Sequence, residues 1–160
     1  MIGKRLFAWT CSLLVISAMI FLVYGEILGD YLSYPACDGC HANLVAEWKT
    51  TRHAKAFETL KVQGEGKQQN PGCLECHVVA FDQEGGFIDM ELTPELKDVQ
   101  CESCHGPGRR HAETMNPADI VGKPGETVCR TCHTEGQDQA FDFETKSRDV
   151  HGKQETRIGS

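Results

Sequence analysis

The sequence predicts a mainly α-helical domain with long loops, preceded by one N-terminal transmembrane helix. Three observations support this prediction: an uncharged run near the amino terminus, a cysteine motif that recurs four times, and a remainder too polar to build a generous core from its own side chains. The 160 residues have a net charge of −7, with 23 acidic and 16 basic side chains. This acidic balance argues against nucleic-acid binding.

The uncharged run covers residues 6–24 and follows Lys4 and Arg5. Its 19 residues would span about 28 Å as a helix, close to the hydrocarbon thickness of a bilayer. We therefore predict a membrane anchor or signal segment over residues 1–25, uncleaved, with a cleaved signal peptide as the alternative, and a linker over 26–36. Because Lys4 and Arg5 stay on the cytoplasmic side, the following domain faces the periplasm or the cell exterior.

Cysteine and histidine recur together beyond this run. Apart from Cys11, which lies in the anchor and is interpreted as a small apolar residue, every cysteine belongs to a Cys-x-x-Cys-His motif. The motifs are residues 37–41, 73–77, 101–105 and 129–133. Two thiols at this spacing can form thioethers to the vinyl groups of one haem while the following imidazole reaches the iron. We predict four covalently attached c-type haems; disulfides or zinc are alternatives that need no such histidine.

Each motif supplies two thioether links and one axial ligand to iron. The predicted thioether residues are Cys37, Cys40, Cys73, Cys76, Cys101, Cys104, Cys129 and Cys132. The predicted proximal ligands are His41, His77, His105 and His133. Since the chain has seven histidines, only three remain for the opposite faces of four irons, namely His53, His111 and His151.

Spacing narrows the assignment of these three histidines. An apolar stripe predicts a helix over residues 42–60, which puts His53 about 18 Å from His41 and so on a haem other than the first. His111 follows the third motif through a turn-prone Gly-Pro-Gly segment and is also expected at a different haem from that motif's. His151 lies 18 residues beyond the fourth motif, enough chain to return to the fourth iron.

Two further helices are predicted, over residues 93–105, with Thr93 as N-cap and Pro94 in the first turn, and over 126–133. Residues 81–87, FDQEGGF, predict a turn or hairpin tip.

The cytochrome domain is expected to cover residues 37–160, with a polar tail over 141–160. The charged run at 138–149 is interpreted as a solvated face. Since the exported part has only about 33 residues per haem, we expect the porphyrins themselves to form the core.

Three stretches resemble the tetrahaem cytochrome c-554 family. They are EWKTTRHAKAFETL after the first motif, CHVVAFDQEGGF after the second, and CESCHGPGRRH at the third. The resemblance extends over about three fifths of the chain, and CESCHGPG is its most specific element. This chain departs from the family in its predicted anchor, its shorter carboxyl end and its acidic charge.

The resemblance implies specific ligand pairs. It pairs His53 with His105 and His111 with His41. It also implies a five-coordinate second haem, which agrees with the missing partner of His77. The family's fourth haem takes a histidine further downstream than any in this chain, so the pairing of His151 with the fourth motif depends on spacing alone.

These features predict a membrane-anchored periplasmic cytochrome that passes electrons between redox partners, since bis-histidine haems are coordinatively saturated and do little bond chemistry. The protein is therefore expected to be a carrier more than an enzyme. Without Lys4 and Arg5 the net charge becomes −9, which favours redox partners with basic patches.

Three alternatives stay open. One is a quinol dehydrogenase that feeds a periplasmic reductase. Another is reduction of a small molecule such as nitric oxide at the second haem, unless Met90, Met115, a lysine or a neighbouring subunit fills the sixth position. The third is a subunit of an extracellular haem filament, which requires cleavage near Gly25.

Overall fold

The computed structural model describes residues 29–151, in which short helices are joined by long loops. The α-helices are α1 (Tyr34–Trp48), α2 (Ala56–Val62), α3 (Pro71–His77), α4 (Cys101–His105), α5 (Arg109–Thr114), α6 (Glu126–Arg130) and α7 (Phe143–Lys146). Single 3-10 turns occur at His53–Lys55, Lys67–Gln69, Pro94–Leu96, Pro117–Asp119 and Ser147–Asp149. The mainly α prediction with long loops is confirmed.

The predicted N-terminal membrane segment, residues 1–25, lies outside the described residues. Within residues 29–151, no helix is both long enough and apolar enough to cross a membrane.

The predicted single helix over 42–60 is wrong. α1 begins earlier and ends at Trp48, because the hydroxyls of Thr50 and Thr51 each donate to a carbonyl three residues back, at 2.7 Å. Such side-chain bonds compete with continued helix formation. The chain then makes one 3-10 turn, starting at His53, before α2 begins. The direction of the chain therefore changes just before His53.

The predicted helix over 93–105 is also interrupted. It consists of the turn Pro94–Leu96 and the separate helix α4, with Asp98 between them at a left-handed φ of 71°. Thr93 does not cap this turn, because its hydroxyl instead accepts from the N–H of Ile88 at 2.7 Å.

The predicted turn at 81–87 is confirmed, since the N–H of Phe87 returns to the carbonyl of Val79 at 2.9 Å. The helix predicted over 126–133 is shorter, because α6 ends at Arg130.

Apolar side chains form one small core around the second motif, which the sequence did not lead us to expect. The buried members come from α2, α3 and the loop that follows α3: Phe57, Leu60, Leu74, Val78, Val79, Phe87 and Leu96. An antiparallel bridge between Val78 and Lys97 holds this loop closed. The second motif is thus packed in polypeptide.

Residues 29–33, inside the predicted linker, pack against the third motif. The buried carboxylate of Glu102 accepts the N–H groups of Leu32 and Ser33, at 2.9 and 2.8 Å, and of Gly108 at 2.7 Å. The side chain of Gln100 accepts the N–H of Tyr34, the first residue of α1, at 2.6 Å. Side chains on both sides of Cys101 therefore hold the start of the helix that contains the first motif.

Candidate haem sites

Six of the seven histidines lie in three facing pairs. The ring centroids are 6.3 Å apart for His41 and His111, 6.1 Å for His53 and His133, and 6.0 Å for His105 and His151. One iron bound about 2 Å from a nitrogen of each of two opposed imidazoles would put their centroids about 6 Å apart. Each pair therefore has the separation that a shared iron requires.

The facing of His41 and His111 agrees with the pairing that the resemblance implied. The other two predicted pairs are wrong, because His53 faces His133 and not His105, whereas His151 faces His105 and not His133.

The cause of this exchange lies in the residues that follow the fourth motif. Asp138 binds Nδ1 of His133 at 2.9 Å, and the ring of Phe141 stacks on the His133 ring at 4.5 Å. These near neighbours in sequence pack around His133, and the chain beyond them continues to the third motif. The tail therefore brings His151 to His105 instead of returning it to the fourth motif.

His77 is the one histidine left outside the three pairs. It is the last residue of α3, beside the apolar core, and its Nδ1 lies 2.6 Å from the carbonyl oxygen of Ala56. The histidine shortage counted in the sequence thus falls at the second motif, as expected.

Four of the seven rings have an acceptor at Nδ1. These contacts are His77 to the Ala56 carbonyl at 2.6 Å, His105 to the Val121 carbonyl at 2.6 Å, His111 to the Asn116 carbonyl at 3.0 Å, and His133 to the Asp138 carboxylate at 2.9 Å. Since a carbonyl or carboxylate only accepts, Nδ1 must hold the proton, and Nε2 keeps a free lone pair. This is the tautomer that an iron ligand needs.

Burial also favours the neutral form of two rings, those of His53 and His151. It lowers the pKa of His53, helped by the nearby charge of His133, and it lowers the pKa of His151, helped by His105. Neutral imidazole is the form that binds metal. Near His151, Glu47 partly opposes this shift, and its Oε2 is buried without a hydrogen-bond partner in the described part of the chain.

The eight motif cysteines form no disulfide among residues 29–151, and in that range no three His, Cys, Asp or Glu side chains converge on a position for a metal ion. The Cys37 and Cys101 thiols are neighbours, and their interaction raises the pKa of the Cys37 thiol and lowers that of Cys101. Burial, and after it the neighbouring Cys132 thiol, raises the pKa of Cys76 to about 12.

These thiol contacts give the four motifs a spatial order. Cys37 lies beside Cys101, so the first motif is a neighbour of the third. Cys76 lies beside Cys132, so the second motif is a neighbour of the fourth. Burial raises the pKa of Cys104 to about 11, and the charges of Cys129 and Cys132 add to the effect, so the third and fourth motifs are also neighbours. The order in space is first, third, fourth, second.

Comparisons with known proteins identify the family of the chain. The family model described as cytochrome c554 and c-prime matches residues 36–106. Cytochrome c-554 of Nitrosomonas europaea is 35% identical over 158 residues, which cover 86% of this chain and 66% of that protein. The chain belongs to the tetrahaem cytochrome c-554 family.

The fold leads to the same family. The reduced-state structure of cytochrome c554 from Nitrosomonas europaea superposes with a TM-score of 0.57 at 26% identity, covering 76% of this chain and 83% of that one. This cytochrome c-554 family member is therefore a multihaem c-type cytochrome with covalently bound haem. It spans just under two thirds of the full length of its N. europaea relative.

In this c-554 family member, one residue that contacts a predicted iron ligand has no signal in the sequence. Asp138 opens the charged run interpreted as a solvated face, yet its carboxylate lies 2.9 Å from Nδ1 of His133. No motif marks this contact, because it depends on a turn in which the N–H of Asp138 bonds to the carbonyl of Thr134. Only the conformation of the chain after the motif could identify it.

Proposed function

We propose that this protein transfers electrons between redox partners through four haems, each attached at one Cys-x-x-Cys-His motif. The three facing histidine pairs, at 6.0 to 6.3 Å, are the observation that supports this proposal most strongly. Two axial imidazoles leave an iron without a free coordination position, so such a haem exchanges electrons and binds no substrate.

In this proposal the iron of the first site takes His41 and His111 as axial ligands. The iron of the third site takes His105 and His151, and that of the fourth takes His133 and His53. The second site takes His77 as its single histidine. Haems attached to cysteines that contact one another must be neighbours, so the contacts of Cys37 with Cys101 and of Cys76 with Cys132 support a continuous path. Electrons would pass along the order first, third, fourth, second.

The proposed location is the periplasmic face of a membrane, held by residues 1–25. The uncharged run after Lys4 and Arg5 supports this location, and c-type haem attachment also takes place outside the cytoplasm. The acidic charge of the domain favours partners with basic patches, whose approach would slow as salt screens the attraction.

A second proposed activity belongs to the second site. His77 faces no other histidine, and its Nδ1 is already bonded to the Ala56 carbonyl. An iron held by His77 alone keeps one position for a small ligand such as nitric oxide. Met115 is not placed to fill the sixth position of the second haem, because its N–H bonds to the carbonyl of His111 and it therefore lies beside the first site.

The direct test of the proposed function combines intact mass with reduction kinetics. Mass spectrometry of the native protein should give the chain plus four haems and should show whether residues 1–25 are retained. Reduction by a basic cytochrome partner should be fast at low ionic strength and should slow as salt is added. A mass with fewer than four haems, or reduction of only a fraction of them, would contradict the four-haem path.

A further inference from the structure

The fourth motif differs from two others in what its histidine contacts. His77 and His105 each lie 2.6 Å from a neutral backbone carbonyl, whereas His133 lies 2.9 Å from the carboxylate of Asp138. The proximal ligands of the proposed second and third sites therefore donate to a dipole, and that of the fourth site donates to an anion.

The position of Asp138 is fixed by its own turn. Its N–H donates to the carbonyl of Thr134 at 2.8 Å, and its carbonyl accepts from the N–H of Phe141 at 3.2 Å. The Phe141 ring in turn stacks on His133, with the planes only 20° apart. The turn therefore places both a carboxylate at the edge of the His133 ring and an aromatic ring on its face.

Arg130 closes this arrangement from the other side. Its guanidinium lies 4.8 Å from the centre of the Phe141 ring and donates to the carbonyl of Phe141 at 3.3 Å. A salt bridge with Glu126 at 3.1 Å holds the Arg130 side chain in place. Four side chains from α6 and the following turn thus restrict the orientation of His133: Glu126, Arg130, Asp138 and Phe141.

A hydrogen bond to a carboxylate is roughly twice as strong as one to a neutral acceptor. It draws the Nδ1 proton away from the ring and makes Nε2 a stronger electron donor, which stabilises ferric iron over ferrous iron. A negative charge near the iron acts in the same direction, since reduction adds one electron.

We propose that Asp138 is a positioning residue of the fourth site, which holds the Nδ1 proton of His133 and lowers the reduction potential of the haem bound there. This proposal rests on the proposed function, because it takes His133 as an axial ligand. With a haem bound at His133, a one-electron reductant would supply one electron to ferric iron. The proton would stay on Nδ1 in both oxidation states, and no bond to Asp138 would be formed or broken.

Potentiometric titration of the full-length holoprotein, followed by absorption and EPR, tests the proposal. Asp138→Asn keeps the size of the side chain and removes its charge. We expect it to favour reduction of the fourth haem about tenfold, which is a positive shift of about 59 mV for a one-electron couple. Asp138→Glu should restore most of the original potential, and the other three potentials should stay unchanged.

Glu135→Gln is the matched control, because Glu135 is an exposed carboxylate in the same turn. An equal shift in Asp138→Asn and Glu135→Gln would overturn the proposal, since the effect would then be that of net charge alone. An unchanged potential of the fourth haem in Asp138→Asn would also overturn the proposal. In that case the proposed function would still hold, provided that the wild-type protein contains four haems and gives three low-spin signals. Absence of those signals would instead refute the ligand assignment itself.

Discussion

His53 and His133 face each other with ring centroids 6.1 Å apart and ring planes at 70°, although one follows the first motif and the other ends the fourth. The other two histidine pairs have nearly parallel planes, at 22° and 15°. The pair formed by His53 and His133 is thus distinguished from the others by geometry as well as by the carboxylate of Asp138.

The angle between the ring planes predicts different EPR signals. Nearly parallel axial imidazoles separate the iron d orbitals and give a rhombic low-spin signal, whereas nearly perpendicular ones leave two orbitals close in energy and give a strongly anisotropic signal. We therefore expect two rhombic low-spin signals and one strongly anisotropic signal from the oxidised protein.

Replacing the distal histidines one at a time assigns these signals. His53→Ala should abolish the strongly anisotropic signal and leave both rhombic signals. His151→Ala, the matched variant at the third site, should remove one rhombic signal and leave the anisotropic one. Loss of a rhombic signal in His53→Ala would instead support a pair of His53 with His105.

Glu102 is predicted to stabilise the contact between the first and third motifs. Glu102→Gln removes a buried charge that accepts the N–H groups of Leu32, Ser33 and Gly108, and its amide would present a donor to these donors. We expect the free energy of unfolding to fall by about 3 kcal/mol. Urea unfolding followed by far-ultraviolet circular dichroism measures this loss.

Glu113→Gln is the control for that measurement, because Glu113 is exposed in α5 and its nearest contact with Arg109 is 4.0 Å. This exposed pair should contribute less than about 0.5 kcal/mol. Equal losses in the two variants would mean that Glu102 does not hold residues 29–33.

Asp98 is predicted to make stability depend on pH. Burial raises its pKa above the ordinary value of 3.8, against the opposing effect of a hydrogen bond from the Phe57 N–H. The folded protein therefore binds more protons than the unfolded chain between 3.8 and the raised pKa. The free energy of unfolding should consequently fall as pH rises through this interval.

Asp98→Asn should remove that dependence, because the amide still accepts from Phe57 and asparagine tolerates the left-handed backbone at this position. Urea unfolding at a series of pH values should show the free energy of unfolding of the variant rising relative to that of the wild-type protein as pH increases from about 4. For Glu84→Gln, at an exposed position, the free energy of unfolding should depend on pH in the same way as that of the wild-type protein. A parallel profile for Asp98→Asn would contradict the prediction.

Gly85 and Gly66 form a matched pair for a test of backbone packing. Both have left-handed φ values, 75° and 78°, so alanine should cost each about 1 to 2 kcal/mol. At Gly85 an added Cβ would also lie 2.6 Å from Cα of Gly29, whereas at Gly66 it would meet open space. Thermal unfolding should therefore show a larger loss for Gly85→Ala, by about 1 to 3 kcal/mol. Equal losses would mean that residues 29 and 85 are not in contact.

The second site is predicted to bind exogenous ligands alone among the four. The reduced protein should bind one carbon monoxide molecule per four haems, as measured by the change in the haem absorption. Met90 is exposed in the loop after the 81–87 turn, and Met90→Ala should leave this stoichiometry unchanged. Binding that appears only in Met90→Ala would show that Met90 fills the sixth position.

The four motifs and the shortage of one histidine could be read from the sequence, because covalent haem attachment requires cysteine and histidine at fixed spacing. The pairs of facing histidines could not be read from it. The direction of the chain at His53 depends on hydrogen bonds from the hydroxyls of Thr50 and Thr51, which end α1. The position of His151 depends on how the turn containing Asp138 packs around His133.

The packing of residues 29–33 against the third motif could not be predicted from the sequence either. It depends on Glu102 and Gln100, about 70 residues further along the chain, which accept backbone N–H groups that exist in any sequence. Backbone donors have no signature in residue type, so the predicted linker gave no sign that it would be held against the third motif.

The spin states of the oxidised full-length protein test the central claim most directly. EPR should show three low-spin haems, one of them strongly anisotropic, and one high-spin haem, because six histidines lie in three facing pairs and His77 faces none of the other histidines. Four low-spin haems would contradict the open second site. Two or more high-spin haems would contradict the histidine pairs on which the proposed function depends.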